Sequence, residues 1–146
     1  MPGPGRLVAF LGLSLLSAAL GGGFADAAET VHVALAEKSD GGMVMETSTE
    51  RVKAGMVTFD ATNKSNDIEH EFLIAPLNGP LEKVPYDDTK GKIIEKALKG
   101  VHELGDLNPG KSGTMTLNLK PGKYLLFCNK PGHFKAGMYH LLTVTP

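Results

Sequence analysis

From Thr30 onward the chain reads mostly as short stretches of alternating apolar and polar residues. Val31, Val33 and Leu35 fall on one side of an extended segment, with the period of two that marks a half-buried strand. Gly41-Gly42 is a turn, and Met43 to Val52, rich in Val and Thr, predicts a second strand. A third is predicted over Met56–Thr62, where Val57 and Phe59 share a face. Ile68–Leu77 is apolar enough for a buried strand. Further strands are predicted over Gly113–Leu119, Lys123–Phe127 and Met138–Val144. Pro109-Gly110 and Pro121-Gly122 supply strong turn signals between them.

One segment breaks this rhythm. Pro80 to Gly100 is polar and Lys-rich, and within it Lys92 to Lys99 places Ile93, Ile94, Ala97 and Leu98 on one stripe. That spacing predicts a short helix, with Gly100 at its end. It is read as a connection from one sheet to the other. About seven or eight short strands with a single crossover near 80–100 predict an all-β Greek-key sandwich. No internal repeat or low-complexity tract interrupts it.

The N-terminus has another character. Met1 to Arg6 carries one positive charge, Leu7 to Leu20 is almost wholly apolar, and Ala25-Asp26-Ala27 offers small residues at a cut site. This is the layout of a secretory signal peptide, and the apolar run is shorter than the roughly 20 residues a spanning helix needs. The expected division is a signal peptide over 1–27 and one domain over 28–146, which would be periplasmic, without a membrane segment and monomeric. A formal net charge of −1 over 146 residues points to neither a nucleic-acid binder nor an acidic tail.

The cysteine count sharpens the picture. Exported proteins normally use cysteines in pairs, yet Cys128 stands alone. It is therefore an intermolecular disulfide, a free thiol or a thiolate held by something such as a metal. Its surroundings favour the metal. After Cys128 come four residues, then His133, then four more, then Met138. Pro131-Gly132 and Ala136-Gly137 turn the chain, so one loop presents a thiolate, an imidazole and a thioether to one point. Soft sulfur ligands favour Cu(I), and imidazole serves both copper oxidation states. Two histidines and a cysteine with a weak axial methionine make a blue-copper electron-transfer site. Structural zinc would use Cys and His without Met.

The second imidazole must come from elsewhere. His70 is the best placed, opening the apolar run His70-Glu71-Phe72-Leu73-Ile74 after the polar turn Asn63–Asp67. Its rivals are His32, inside the first strand, His102, at a surface strand position, and His140, on the same strand face as Met138. Met43, Met45, Met56 and Met115 could suggest Cu(I) trafficking, but methionines at strand spacing read first as core.

These residues resemble the cupredoxin, or blue copper, family. The Cys-x4-His-x4-Met loop is closer to the rusticyanin and sulfocyanin branch than to plastocyanin, whose loop is shorter. The resemblance runs from Val31 to Val144. It implies an eight-stranded sandwich with one copper ion near one end, bound by His70 and His133 through Nδ1, by Cys128 through sulfur and weakly by Met138. Backbone N–H groups near Cys128, positioned by a turn such as the one around Asn63, would hydrogen-bond the sulfur and tune the potential.

The expected function is one-electron transfer between redox partners docking near His133. Pro131, Phe134, Ala136 and Gly137 would form an apolar patch there, and Lys130 and Lys135 would favour an acidic partner. The alternative is a copper-binding protein for delivery or tolerance. An enzyme is not expected. Copper oxidases place a His beside the blue-copper Cys, whereas Cys128 is flanked by Phe127 and Asn129, and the chain has no His-x-His pair.

Overall fold

The computed structural model describes residues 28–146. The signal segment expected over 1–27 lies outside them. The described residues form eleven strands and two short 3₁₀ turns. The strands are β1 (Glu29–Glu37), β2 (Met43–Thr47), β3 (Arg51–Lys53), β4 (Gly55–Asn63), β5 (His70–Pro76), β6 (Tyr86–Asp87), β7 (Lys92–Ile93), β8 (His102–Leu107), β9 (Ser112–Leu119), β10 (Gly122–Phe127) and β11 (Tyr139–Thr145). Two mixed sheets pack as the expected β-sandwich. One has the order β2-β1-β4-β9, and the other β3-β11-β10-β5-β8.

The alternation along the chain fills the space between them. Val31, Val33 and Leu35 of β1 and Val57, Phe59 and Ala61 of β4 are buried, while their neighbours face solvent or lie part-buried. Phe59 meets Phe72 of β5 from the opposite sheet, with ring centroids 5.8 Å apart and planes tilted by 45°. Such a pair adds roughly 0.5–1.5 kcal/mol to the burial of the rings. Met45 joins this core and Met43 and Met115 pack against it, whereas Met56 is exposed.

Beyond the seven predicted segments the chain adds β8, which begins at the strand position of His102, and the count rises further for two reasons. The predicted strand Met43–Val52 divides, because β2 pairs with β1 in one sheet and β3 pairs with β11 in the other. The chain changes sheets at Ser48–Glu50, where Thr49 Oγ1 donates to the Arg51 carbonyl and accepts from its amide. The second reason is the small hairpin β6–β7.

Residues 80–100 depart from expectation twice. No α-helix forms over Lys92–Lys99. Ile93 N–H donates to Asn129 Oδ1 and Ile93 C=O accepts from Asn129 Nδ2, while Ile94 N–H is bonded to Pro85 C=O. Those backbone groups are spent on tertiary partners, and only a 3₁₀ turn over Glu95–Ala97 follows. Ile93 is buried while Ile94 is exposed, the alternation of a strand rather than a stripe.

The segment also does not cross between sheets. It leaves from β5 and returns in β8, which pair side by side in the same sheet. It instead folds over that sheet's outer face. There Ile93, Leu81, Val84, Tyr86 and Leu98 cover Leu73, Ala75, Leu125 and Phe127 in a second apolar cluster. Covering on both faces explains why Phe72–Ala75 and Leu125–Phe127 are continuous apolar runs, as in other doubly covered strands.

Candidate metal centre

The site lies at one end of the five-stranded sheet, where three strand ends meet. β5 begins with His70. β10 runs antiparallel to it, pairs Phe127 with Leu73, and ends one residue before Cys128. β11 begins just after Met138 and pairs Tyr139 with Phe127. The loop between β10 and β11 closes on itself. Cys128 N–H donates to Met138 C=O (3.1 Å), and Met138 N–H donates to His133 C=O (3.0 Å). Gly137 has φ +106°, and a Cβ there would lie 2.9 Å from the Met43 carbonyl oxygen, so the tight approach to β2 needs glycine.

Three of the four expected donors converge. His70 Nδ1 lies 3.2 Å from His133 Nδ1, and Cys128 Sγ lies 3.4 Å from His133 Nδ1. The three donor atoms all fall within 4.8 Å of one another. Met138 is fully buried, packs in the same cluster as Cys128, and is tied by its backbone to both Cys128 and His133. The rivals stay away. His32 is exposed beside Asp60, His102 is exposed at the start of β8, and His140 Nε2 bonds Thr47 Oγ1.

The surroundings prepare the donors. His70 Nε2 bonds Ser65 Oγ at 2.7 Å, which leaves Nδ1 to face the site. Ser65 is held by Asn63, whose Oδ1 accepts from Ser65 N–H and whose Nδ2 donates to Ile68 C=O and Leu107 C=O. The Asn63 turn thus fixes the histidine side of the site. The Glu71 amide, in the residue after His70, bonds the sulfur at 3.3 Å, and the Lys130 amide also favours the thiolate. Sequence reasoning passed over Ser65 and Glu71 as ligand supports. Ser65 was visible only as one polar residue of a polar turn, and Glu71 contributes a backbone group that carries no residue signature.

Electrostatics favour a cation. Burial raises the Cys128 thiol above its ordinary range, opposed by the Lys130 and Glu71 amides. Burial lowers His70 to about 4, with His133 adding to the effect and Glu37 opposing it. His133 is lowered too, first by burial and then by Lys130. Two neutral imidazoles are ready ligands, and the thiolate form needs a positive charge beside it, which a bound metal ion supplies. Glu37 stands behind His70, with Oε1 3.9 Å from Nε2. The lysines expected to draw an acidic partner are engaged within the chain. Lys130 pairs with Glu69 and Asp106, and Lys135 with Asp88.

A β-sandwich that gathers two imidazoles, one thiol and a buried thioether at one end carries the pattern of a type 1 copper protein. The chain belongs to the plastocyanin/azurin family of copper binding proteins, whose family model matches residues 31–145. Auracyanin-B of Chloroflexus aurantiacus is 31% identical over 135 residues, which cover 82% of this chain. The match spans about half (53%) of the length of that relative. Among solved structures, auracyanin B superposes with a TM-score of 0.59 at 26% identity over 82% of this chain and 90% of its own. Reduced auracyanin from Roseiflexus castenholzii gives 0.57 at 23% identity, over 82% and 98% of the two chains. Rusticyanin from Thiobacillus ferrooxidans gives 0.58 at 21% identity, over 80% and 78%. No helix among the described residues is long and apolar enough to cross a membrane.

Proposed function

We propose that this protein is an exported one-electron carrier that uses a single type 1 copper ion held by His70, Cys128, His133 and Met138. In this reading residues 1–27 are a signal peptide and residues 28–146 the working domain, periplasmic and not enzymatic. The observation that carries it is the meeting of His70 Nδ1, His133 Nδ1 and Cys128 Sγ within 4.8 Å at the end of a closed sandwich. Copper supplies the chemistry by alternating between Cu(I) and Cu(II).

The protein's part is to keep the ligands where both states accept them. His70 is fixed from behind by Ser65, Cys128 is braced by the Glu71 amide, and Met138 is buried in the core. His70, Cys128 and Met138 are fully buried, so water has little access from the core side, whereas His133 is only half-buried. His133 and its neighbours Pro131 and Phe134 therefore form the side from which an electron would leave. With Lys130 and Lys135 already paired, docking there would rest on apolar contact more than on charge.

Titrating the purified domain with Cu(II) tests the proposal. Intense thiolate-to-copper absorption and reversible one-electron reduction are expected. A colourless protein that binds only Cu(I), or one that cannot be reoxidised, would overturn the carrier reading in favour of copper delivery or tolerance. Cys128→Ser should abolish the colour, and its survival would refute the site. Met138→Leu should keep copper and raise the potential, whereas an unchanged potential would refute axial ligation.

A further inference from the structure

The segment over 80–100 does more than cover a sheet. It touches the loop between Cys128 and Met138 at several points, beginning with the residue after Cys128. Asn129 is 1% exposed, and among the described residues its side-chain amide bonds only this segment. Oδ1 accepts from Ile93 N–H at 2.7 Å, and Nδ2 donates to Ile93 C=O at 3.1 Å and to Glu95 Oε1 at 2.6 Å. The side chain thereby acts as an extra rung beside β7, occupying both backbone polar groups of one strand residue. Three positions further on, Gly132 N–H donates to Gly91 C=O at 2.7 Å. The fit is close. Gly91 has φ +67°, and a Cβ on it would lie 2.9 Å from Gly132 N. Phe134 then packs on Tyr86 with centroids 6.0 Å apart, and Lys135 lies over the Tyr86 ring and pairs with Asp88.

We infer that Asn129 is a positioning residue, and that the Tyr86–Glu95 segment is a brace setting the angle at which Cys128 and His133 meet the metal. The inference rests on the ligand assignment proposed above. Its physical basis is that Cys128 is held in the chain by one neighbour on each side, Phe127 and Asn129. Phe127 is locked in the ladder between β5 and β11. On the other side the buried Asn129 is fixed through groups outside the loop. Residues that orient metal ligands set affinity and redox behaviour without touching the metal. Asn129 fits that description, and its partner Ile93 is itself paired with Tyr86 in the small hairpin β6–β7.

A plain structural role would make Asn129 only an anchor for the outer apolar cluster, and the test separates the two. Asn129→Ala strands Ile93 N–H and C=O in a buried place, so the brace should release the loop. In the copper-free protein, the amides of Gly132 and His133 should then exchange with solvent about tenfold faster. In the copper-loaded protein, affinity should fall about tenfold, and the thiolate absorption bands and the potential should both move. Asn129→Asp combined with Glu95→Gln keeps the acceptor for Ile93 N–H and rebuilds the link to position 95 but leaves Ile93 C=O without its donor, and should restore the wild-type loop exchange in part. Gly91→Ala pushes on the loop from the other side of the seam, and should move the bands and the potential without altering any residue of the loop. Leu98→Ala is the control. It thins the outer cluster where Leu98 lies beside Pro76, Leu77 and Val84, and should lower the melting temperature with spectrum and potential unchanged.

Unchanged bands, potential and loop exchange in both Asn129→Ala and Gly91→Ala would overturn the inference. So would a Leu98→Ala protein that moves them as much. If Asn129→Ala does not fold, Gly91→Ala and the paired Asp/Gln variant decide the matter. Failure of the ligand assignment looks different. Colour surviving Cys128→Ser removes that assignment, while the exchange experiment on the copper-free protein still decides the brace.

Discussion

Asn63→Ala tests how the histidine side of the site is built. Asn63 is fully buried, and its side chain makes three hydrogen bonds, to Ile68 C=O, Leu107 C=O and Ser65 N–H. Truncation removes all three and leaves their partners unpaired. A buried polar group left without a partner costs about 1–3 kcal/mol, and some of these groups gain water on relaxation, so the expected loss is about 3–5 kcal/mol. Against a typical stability of about 5–15 kcal/mol this is large. For a domain of this size each kcal/mol moves the melting temperature by about 4 °C, giving a fall of about 12–20 °C.

The assay is urea denaturation of the copper-free protein, where the midpoint should fall and the slope should stay the same. A second readout follows from Ser65. Its amide anchor is lost, the Ser65 Oγ–His70 Nε2 bond loosens, and copper affinity should drop by about tenfold. Asn63→Asp keeps the acceptor for Ser65 N–H and loses both donors, so it should hold copper better than Asn63→Ala while remaining destabilised. A loss below about 1 kcal/mol with unchanged copper affinity would refute the reasoning.

Three further outcomes are expected. The Cys128 thiol is raised and both histidines are lowered, so at pH 7 the copper-free site holds one proton, on sulfur, that copper must displace. Calorimetry in buffers of different ionisation enthalpy should find about one proton released per ion, and affinity should rise about tenfold per pH unit. As pH falls toward about 4, His70 also gains a proton and the dependence should steepen; no proton release at pH 7 would contradict the thiol state. Gly137→Ala places a Cβ 2.9 Å from Met43 C=O at φ +106° and should cost about 1–3 kcal/mol by denaturation, whereas a stability equal to wild type would count against the close approach. Stripping copper with a chelator should leave the far-ultraviolet dichroism intact and lower the melting temperature by mass action alone, while a collapse of the dichroism would contradict a sandwich that stands without its metal.

Much of this architecture is legible in local pattern. Val31–Leu35 and Val57–Phe59 announce one-sided strands because their faces differ in water contact, and the structure places them so. The loop from Cys128 to Met138 is legible because its donors are close in sequence. What local pattern misses depends on distant partners. The helical spacing of Lys92–Lys99 is real in the letters, but Asn129 claims the backbone of Ile93 and extends it. The strand Met43–Val52 divides because its halves find different sheets, a choice made by β1 and β11. The route of residues 80–100 is hidden for the same reason, and the apolar runs Phe72–Ala75 and Leu125–Phe127 take their meaning only once that segment is seen to cover them. The paired states of Lys130 and Lys135 are likewise tertiary facts.

The sequence distances across the centre have a consequence for how the protein matures. The Glu71 amide meets the Cys128 sulfur across 57 residues, and His70 meets His133 across 63. Both closures belong to the pairing of β5 with β10, which sets Leu73 against Phe127 and is itself a long-range contact that forms slowly. Until β5 and β10 pair, the chain offers the ion only the ligands of a single loop. Metal uptake is therefore a report on a finished chain. A copper-dependent colour read during refolding should lag behind the secondary structure, and a misfolded copy should stay pale.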